Sequence, residues 1–121
     1  LLIDFWATWC GPCVLEMPNV VATWEKYKDQ GFAVLGVSLD REGDEDKLRA
    51  FVKKHGMGWP QLYDGKGWKT GPGVLNNIRS IPFTFLLDRE GRVRYSKLRG
   101  DELGRRVEEL LSGKGRLWGC R

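Results

Sequence analysis

Apolar residues fall along this chain in short unbroken runs that alternate with helical stripes. The first run, LLIDFWA at Leu1 to Ala7, is interrupted by one polar residue, Asp4. A second, FAVLGVSL, covers Phe32 to Leu39 and ends at Asp40; a third, FTFLL, covers Phe83 to Leu87. Near-continuous runs of this length predict strands covered on both faces, as in parallel sheets. Met17, Val20, Val21, Trp24 and Tyr27 step at helical spacing and predict a first helix over about 12–29, stopped by Gly31. Leu48, Phe51, Val52 and His55 predict a second, opened by the acidic Asp44, Glu45 and Asp46 and closed near Gly56. Leu103, Val107, Leu110 and Leu111 predict an amphipathic C-terminal helix.

The connecting segments are less regular. WPQLYDG holds a short strand at most, because Pro60 removes a ladder donor and suits an edge or a strand start. Residues 65–77 are Gly-rich, with a short helix predicted over 74–77. DREG reads as a turn, and 92–98 alternates with Val93 and Tyr95 on one face, which predicts an antiparallel hairpin whose last strand is the more exposed. The pentapeptide LDREG occurs at 39–43 and again at 87–91; both copies follow an apolar strand, so shared turn chemistry accounts for the repetition. The order of elements predicts an α/β domain with a mixed sheet and helices on both faces. It spans 1–112, and 113–121 is expected to be a flexible tail.

Composition narrows the function. With 121 residues, 41% hydrophobic content and six tryptophans, the chain can build one real core. The net charge of +4 comes from 20 basic and 16 acidic residues that are interspersed, so no nucleic-acid stripe forms. No run of about 18 apolar residues exists to span a membrane, and no signal peptide is visible. Leu1 already lies inside a strand pattern, so the chain reads as cut from something longer. Three cysteines are too few for a disulfide-stapled scaffold. Cys10 and Cys13 form a C-x-x-C pair, and Cys120 is remote. A structural zinc site wants four ligands, which His55 and Cys120 would complete only by coincidence. No metal or other cofactor is expected, and His55 reads as a packed or capping residue.

The C-x-x-C pair carries the chemistry. Pro12 suits the first turn of a helix, which places Cys10 at the N-terminal edge, where unpaired N–H groups and the dipole favour an anion. There a thiol pKa can fall from about 8.5 to roughly 3.5 to 7.5, making Cys10 nucleophilic. Cys13, one turn on, is placed to resolve a mixed disulfide formed on Cys10. Asp4 sits in a buried strand, where an unpaired carboxylate would cost several kcal/mol. Either burial raises its pKa so that its carboxylate can accept the Cys13 proton, or it reaches solvent or caps a loop. Glu16 shares a helix face with Cys13 and either tunes the thiols or is an ordinary acidic residue of a first turn. Pro18 removes the hydrogen bond to the Val14 carbonyl and kinks the helix. Trp6 reads as core, Trp9 as an exposed contact surface.

DFWATWCGPC followed by Pro18 resembles the thioredoxin family, with a strand-borne Asp, a Trp before the pair and Gly-Pro between the cysteines. SIP at Ser80 to Pro82, followed by FTFLLDREGRV, is similar to that family's cis-proline loop and hairpin. C-x-x-C-x-x-E-x-P and an inserted helix and strand over 40–64 resemble the TlpA/ResA-like thiol-disulfide oxidoreductases. The resemblance covers nearly all of 1–112 and implies a thioredoxin-like three-layer sandwich with its N-terminal strand or hairpin truncated. It implies catalytic Cys10, Cys13, Asp4 and Glu16, and a substrate rim of Trp9, Gly11, Pro12, Ile81 and Pro82 with a cis Ile81–Pro82 bond. It also implies a redox-active Cys10–Cys13 disulfide and protein disulfide or dithiol substrates. An electron donor, a monomeric state and an extracytoplasmic, often tethered, bacterial location complete the expectation. GWKTGPGVLNN departs from the family's usual approach to the cis-proline loop, and many TlpA-like members have a neutral residue in place of Asp4. The tail GKGRLWGCR matches nothing in the family. Two other readings remain open. One is a thiol peroxidase using Thr8, although peroxiredoxin-like sites place Thr three residues before Cys and here the gap is two. The other is a non-catalytic docking or metal-delivery module.

Overall fold

The structure is a computed structural model and describes residues 1–113; the predicted tail beyond Gly113, with Cys120, lies outside the described residues. In chain order the elements are β1 (Leu2–Trp6), α1 (Gly11–Tyr27), β2 (Val34–Ser38), α2 (Glu45–Lys54), β3 (Gln61–Leu62), α3 (Gly71–Leu75), β4 (Phe83–Leu87), β5 (Val93–Ser96) and α4 (Asp101–Ser112). The strands form one mixed sheet in the order β3-β2-β1-β4-β5. β1, β2 and β3 run parallel, while β4 is antiparallel to both β1 and β5. β1 is therefore central, and Asp4 lies between Gly36 and Thr84 in its middle.

Parallel strands need right-handed crossovers, which carry α1 and α2 to the same face of the sheet. Side chains alternate along a strand, so Leu2, Asp4 and Trp6 share a face while Ile3 and Phe5 share the other. Trp6 is fully buried and packs on Phe51 of α2, with ring centroids 5.3 Å apart. On the opposite face Phe5 meets Phe85 edge to face at 6.1 Å. Trp6 also satisfies its indole, donating Nε1–H to Gln61 Oε1 at 2.9 Å. To reach it, the Gln61 side chain crosses directly over Gly36, where a Cβ would lie 2.1 Å from that oxygen. A glycine in the middle of β2 thus lets the edge strand β3 bond to the sheet centre.

Element ends differ from the sequence expectation by a few residues. The first helix does not run to 29: after Tyr27 it tightens into a 3-10 turn over Lys28–Gln30, because Gly31 takes a left-handed φ of 100°. The short helix expected at 74–77 lies at Gly71–Leu75, with Pro72 in its first turn. The carboxylate of Asp64 fixes that start, accepting from the Thr70 hydroxyl at 2.9 Å and Gly71 N–H at 3.2 Å. The last strand ends at Ser96 because Lys97 turns to a φ of 58°. α1 runs through Pro18 without a break, and α4 packs beside it, burying Leu103 and Val107.

Candidate active site

Cys10 is the N-cap of α1, in extended conformation, and its sulfur accepts a hydrogen bond from Cys13 N–H at 3.2 Å. Helix formation here leaves N–H groups without intrahelical partners, and the cap sulfur sits where they point. The same donors and the helix dipole favour a thiolate on Cys10 once the pair is reduced. Cys10 and Cys13 are joined as a disulfide with Cα atoms 5.2 Å apart. Cys10 is 6% exposed and Cys13 2%, so attack from outside reaches Cys10 first. Gly11 and Pro12 are exposed beside it. The Ile81–Pro82 bond is cis, and the Ile81 carbonyl oxygen lies 3.8 Å from Cys10 Sγ. Residues 71 positions apart in sequence thus frame one sulfur.

Asp4 lies beneath the pair. It is buried, and among the described residues no protein donor reaches its carboxyl. Burial pushes its pKa from 3.8 up to about 7, and the negative charge of Glu16 adds to the rise. Asp4, Cys13, Glu16, Pro82, Lys97 and Arg99 line a cavity of about 10 Å³, room for roughly one water-sized sphere. Glu16 Oε2 accepts from the Asn19 side-chain amide at 2.8 Å and from Gly100 N–H at 2.9 Å. The Asn19 amide also donates to the Gly100 carbonyl at 3.0 Å. Gly100 has φ 61° and ψ −148°, a backbone region open essentially to glycine alone, so its identity sets where that N–H points.

Trp9 is 40% exposed and lies against Trp68, 41% exposed, with ring centroids 6.1 Å apart. The neighbouring Thr8 hydroxyl donates to Asp40 Oδ1 at 2.5 Å, and Thr8 N–H points at the same carboxylate at 3.2 Å. The side chain that a peroxidase would need beside Cys10 is therefore engaged elsewhere. His55 ends α2 and stacks on Phe51 at 4.0 Å. Among the described residues no group of three or more His, Cys, Asp or Glu could hold a metal ion.

The nine site residues expected from the sequence lie around the C-terminal half of β1, the start of α1 and the cis-proline loop, which meet at Cys10, Cys13 and Asp4. Four neighbours escaped sequence reasoning: Asn19, Asp40, Trp68 and Gly100. The one available signal was Trp68, a large apolar residue in an otherwise Gly-rich and polar stretch.

The chain is similar to known redox proteins. It is 32% identical over 113 residues to the thiol-disulfide oxidoreductase ResA of Bacillus thuringiensis subsp. konkukian, covering 92% of this chain and 61% of that protein. It is 37% identical over 92 residues to the thioredoxin-like protein YneN of Bacillus subtilis, covering 75% of this chain and 51% of that protein. The chain therefore spans only about half to three fifths of the length of these curated relatives. A solved thiol-disulfide oxidoreductase from Bacteroides fragilis superposes with a TM-score of 0.79 at 29% identity, covering 90% of this chain and 79% of that one. The sheet order, the cis-proline loop and the cysteine-capped helix are thus those of a thioredoxin-like fold. A profile of the AhpC/TSA family matches residues 1–96, the part that holds both cysteines, Asp4, Glu16 and the cis-proline loop, and the chain belongs to that family.

Proposed function

We propose that this chain is a thiol-disulfide oxidoreductase that reduces protein disulfides. The observation that carries the reading is a disulfide whose outer sulfur caps α1 while its inner cysteine shares a cavity with a carboxyl group that titrates near neutrality. The similarity to ResA supports it.

In the reduced protein the Cys10 thiolate attacks one sulfur of a substrate disulfide. A Cys10–substrate disulfide forms, the substrate S–S bond breaks, and the departing thiolate takes a proton from solvent. Cys13 then loses its proton to the Asp4 carboxylate, directly or across the one-water cavity, and attacks Cys10 Sγ. The second substrate sulfur leaves as a thiolate and is protonated from solvent, and two electrons have passed from the cysteine pair to the substrate. Ile81 and Pro82 flank the sulfur and present backbone to the bound substrate chain. Trp9, Gly11 and Pro12 form the exposed rim that meets it. Glu16 sets the charge felt by Asp4.

Residues 1–112 act as one domain in this proposal, with a separate thiol donor returning the pair to its reduced state. The family resemblance supports an extracytoplasmic setting and a monomer; fractionation of the source cells and sedimentation check these two points. Among the described residues no helix is long and apolar enough to cross a membrane.

The decisive experiment replaces Cys13 with Ser and traps substrates on Cys10 in source cells. Captured proteins released by dithiothreitol are expected. Partner binding and biological activity that survive Cys10→Ser would instead favour a docking module. A reduction potential near −120 mV, about that of the strongest thiol oxidants, would overturn the reducing direction.

A further inference from the structure

Trp9, next to Cys10 in the chain, and Trp68, packed against Trp9, are both fastened by one buried residue. Asp40, at the end of β2, is fully buried. Its carboxylate receives the Thr8 hydroxyl at 2.5 Å, Thr8 N–H at 3.2 Å and the Ser38 hydroxyl at 2.6 Å. Its backbone carbonyl receives Gly67 N–H at 3.3 Å. Thr8 precedes Trp9 and Gly67 precedes Trp68, so one residue fastens both tryptophan-bearing loops. Gly67 has φ 56°, and next to it Arg41 and Lys66 form an isolated bridge that closes the second loop. Asp64 ties the same loop through Lys66 N–H at 3.0 Å and the Thr70 hydroxyl.

Large aromatic side chains are usually spent on cores, and leaving two of them adjacent and two-fifths exposed at a reactive bond marks an interaction surface. The rings already pack together, with centroids 6.1 Å apart and planes tilted by 53°, so nothing inserts between them. They offer a shared outer shelf. Because the loops are fastened before substrate arrives, little ordering cost remains to be met on binding. Lys66 and Lys69 flank Trp68 in sequence and are exposed, which disfavours a cationic occupant over the rings.

We infer that Trp9 and Trp68 form a preorganised aromatic shelf for an apolar or aromatic side chain next to the reacting cysteine of the substrate. Trp68 is then a specificity-determining residue. The inference rests on the oxidoreductase reading and adds the substrate class.

The test uses the reduced protein and two cystine-bridged peptides that differ only in Phe or Ser beside the attacked cysteine, with rate constants taken by stopped flow. Wild type favours the Phe peptide by about tenfold, Trp68→Ala lowers that ratio to about twofold, and Trp68→Phe keeps most of it. A wild-type ratio near one overturns the shelf. So does faster reaction with a Lys-flanked peptide, or a ratio that survives in folded Trp68→Ala as judged by far-ultraviolet circular dichroism. Hydroxyethyl disulfide, which carries no flanking side chain, separates the two levels. If reduced wild type fails to react with it, dithiol exchange falls and the shelf with it. If it reacts but the peptides are not distinguished, the shelf alone falls.

Discussion

Two buried aspartates belong to neighbouring parallel strands, Asp4 in the middle of β1 and Asp40 just past the end of β2, and their surroundings could hardly differ more. Asp40 is met by two hydroxyls and a backbone N–H. Asp4 is met by no protein donor among the described residues and faces a small cavity beside Cys13 and Glu16. A carboxylate surrounded by donors is a fastening: its charge is satisfied and its geometry is fixed. One left without them holds its proton until the pH nears 7, which makes it useful for moving protons at neutral pH. Burial alone therefore does not tell a structural acid from a chemical one. The count of donors does.

The sharpest break of this comparison is the pH dependence of stability. The folded-state pKa of Asp4 lies above its unfolded value, so between about pH 4 and 7 the folded state binds more protons than the unfolded one. Stability from this group is fully present below pH 4 and is lost as pH rises through 7. The loss amounts to as much as about 4 kcal/mol in the oxidised protein. Asp4→Asn should abolish that slope and be more stable than wild type at pH 8, with the two converging below pH 4. Chemical denaturation at several pH values measures this, and parallel slopes would remove Asp4 as the proton-binding group. Asp40 acts through its donors instead: replacing it with Ala strands the Thr8 and Ser38 donors and is expected to cost about 3 kcal/mol.

A kinetic split comes next. Asp4→Asn should slow resolution of mixed disulfides about a hundredfold while leaving the first attack by Cys10 unchanged. Rapid-quench analysis of the Cys10 adduct separates the two steps. The smallest effect belongs to Glu16→Gln, which removes the lesser cause of the Asp4 shift and should lower the Asp4 pKa without returning it to 3.8. Carboxyl NMR titration reads it, and an unmoved Asp4 would show that burial acts alone.

The contrast also separates what the sequence discloses from what it hides. The unbroken apolar runs placed β1, β2 and β4 to within a residue or two, since a strand buried on both faces leaves a local trace. WCGPC and SIP are contiguous, so the cysteine cap and the cis-proline loop were legible. Asp4 stood out because one charge in an apolar run violates a local rule. Asp40 ended its run as an ordinary strand-end acid, and its partner Thr8 is 32 positions away. Glu16 and Gly100 are 84 apart. Contacts of that span leave no period to read. Trp68 was hidden differently: its loop is set by positive-φ glycines and an Asp64 cap rather than by any hydrophobic pattern.

The Glu16–Asn19–Gly100 cluster has a practical consequence for dissecting the molecule. A fragment ending with β5 would keep both cysteines, Asp4 and the cis-proline loop, and would look complete by inspection of its motifs. It would lack Gly100, whose N–H anchors Glu16, and the helix that Gly100 introduces. The C-terminal helix thus reaches the redox centre by packing on α1 and through Gly100, and where a fragment is cut decides whether the anchor of Glu16 is kept.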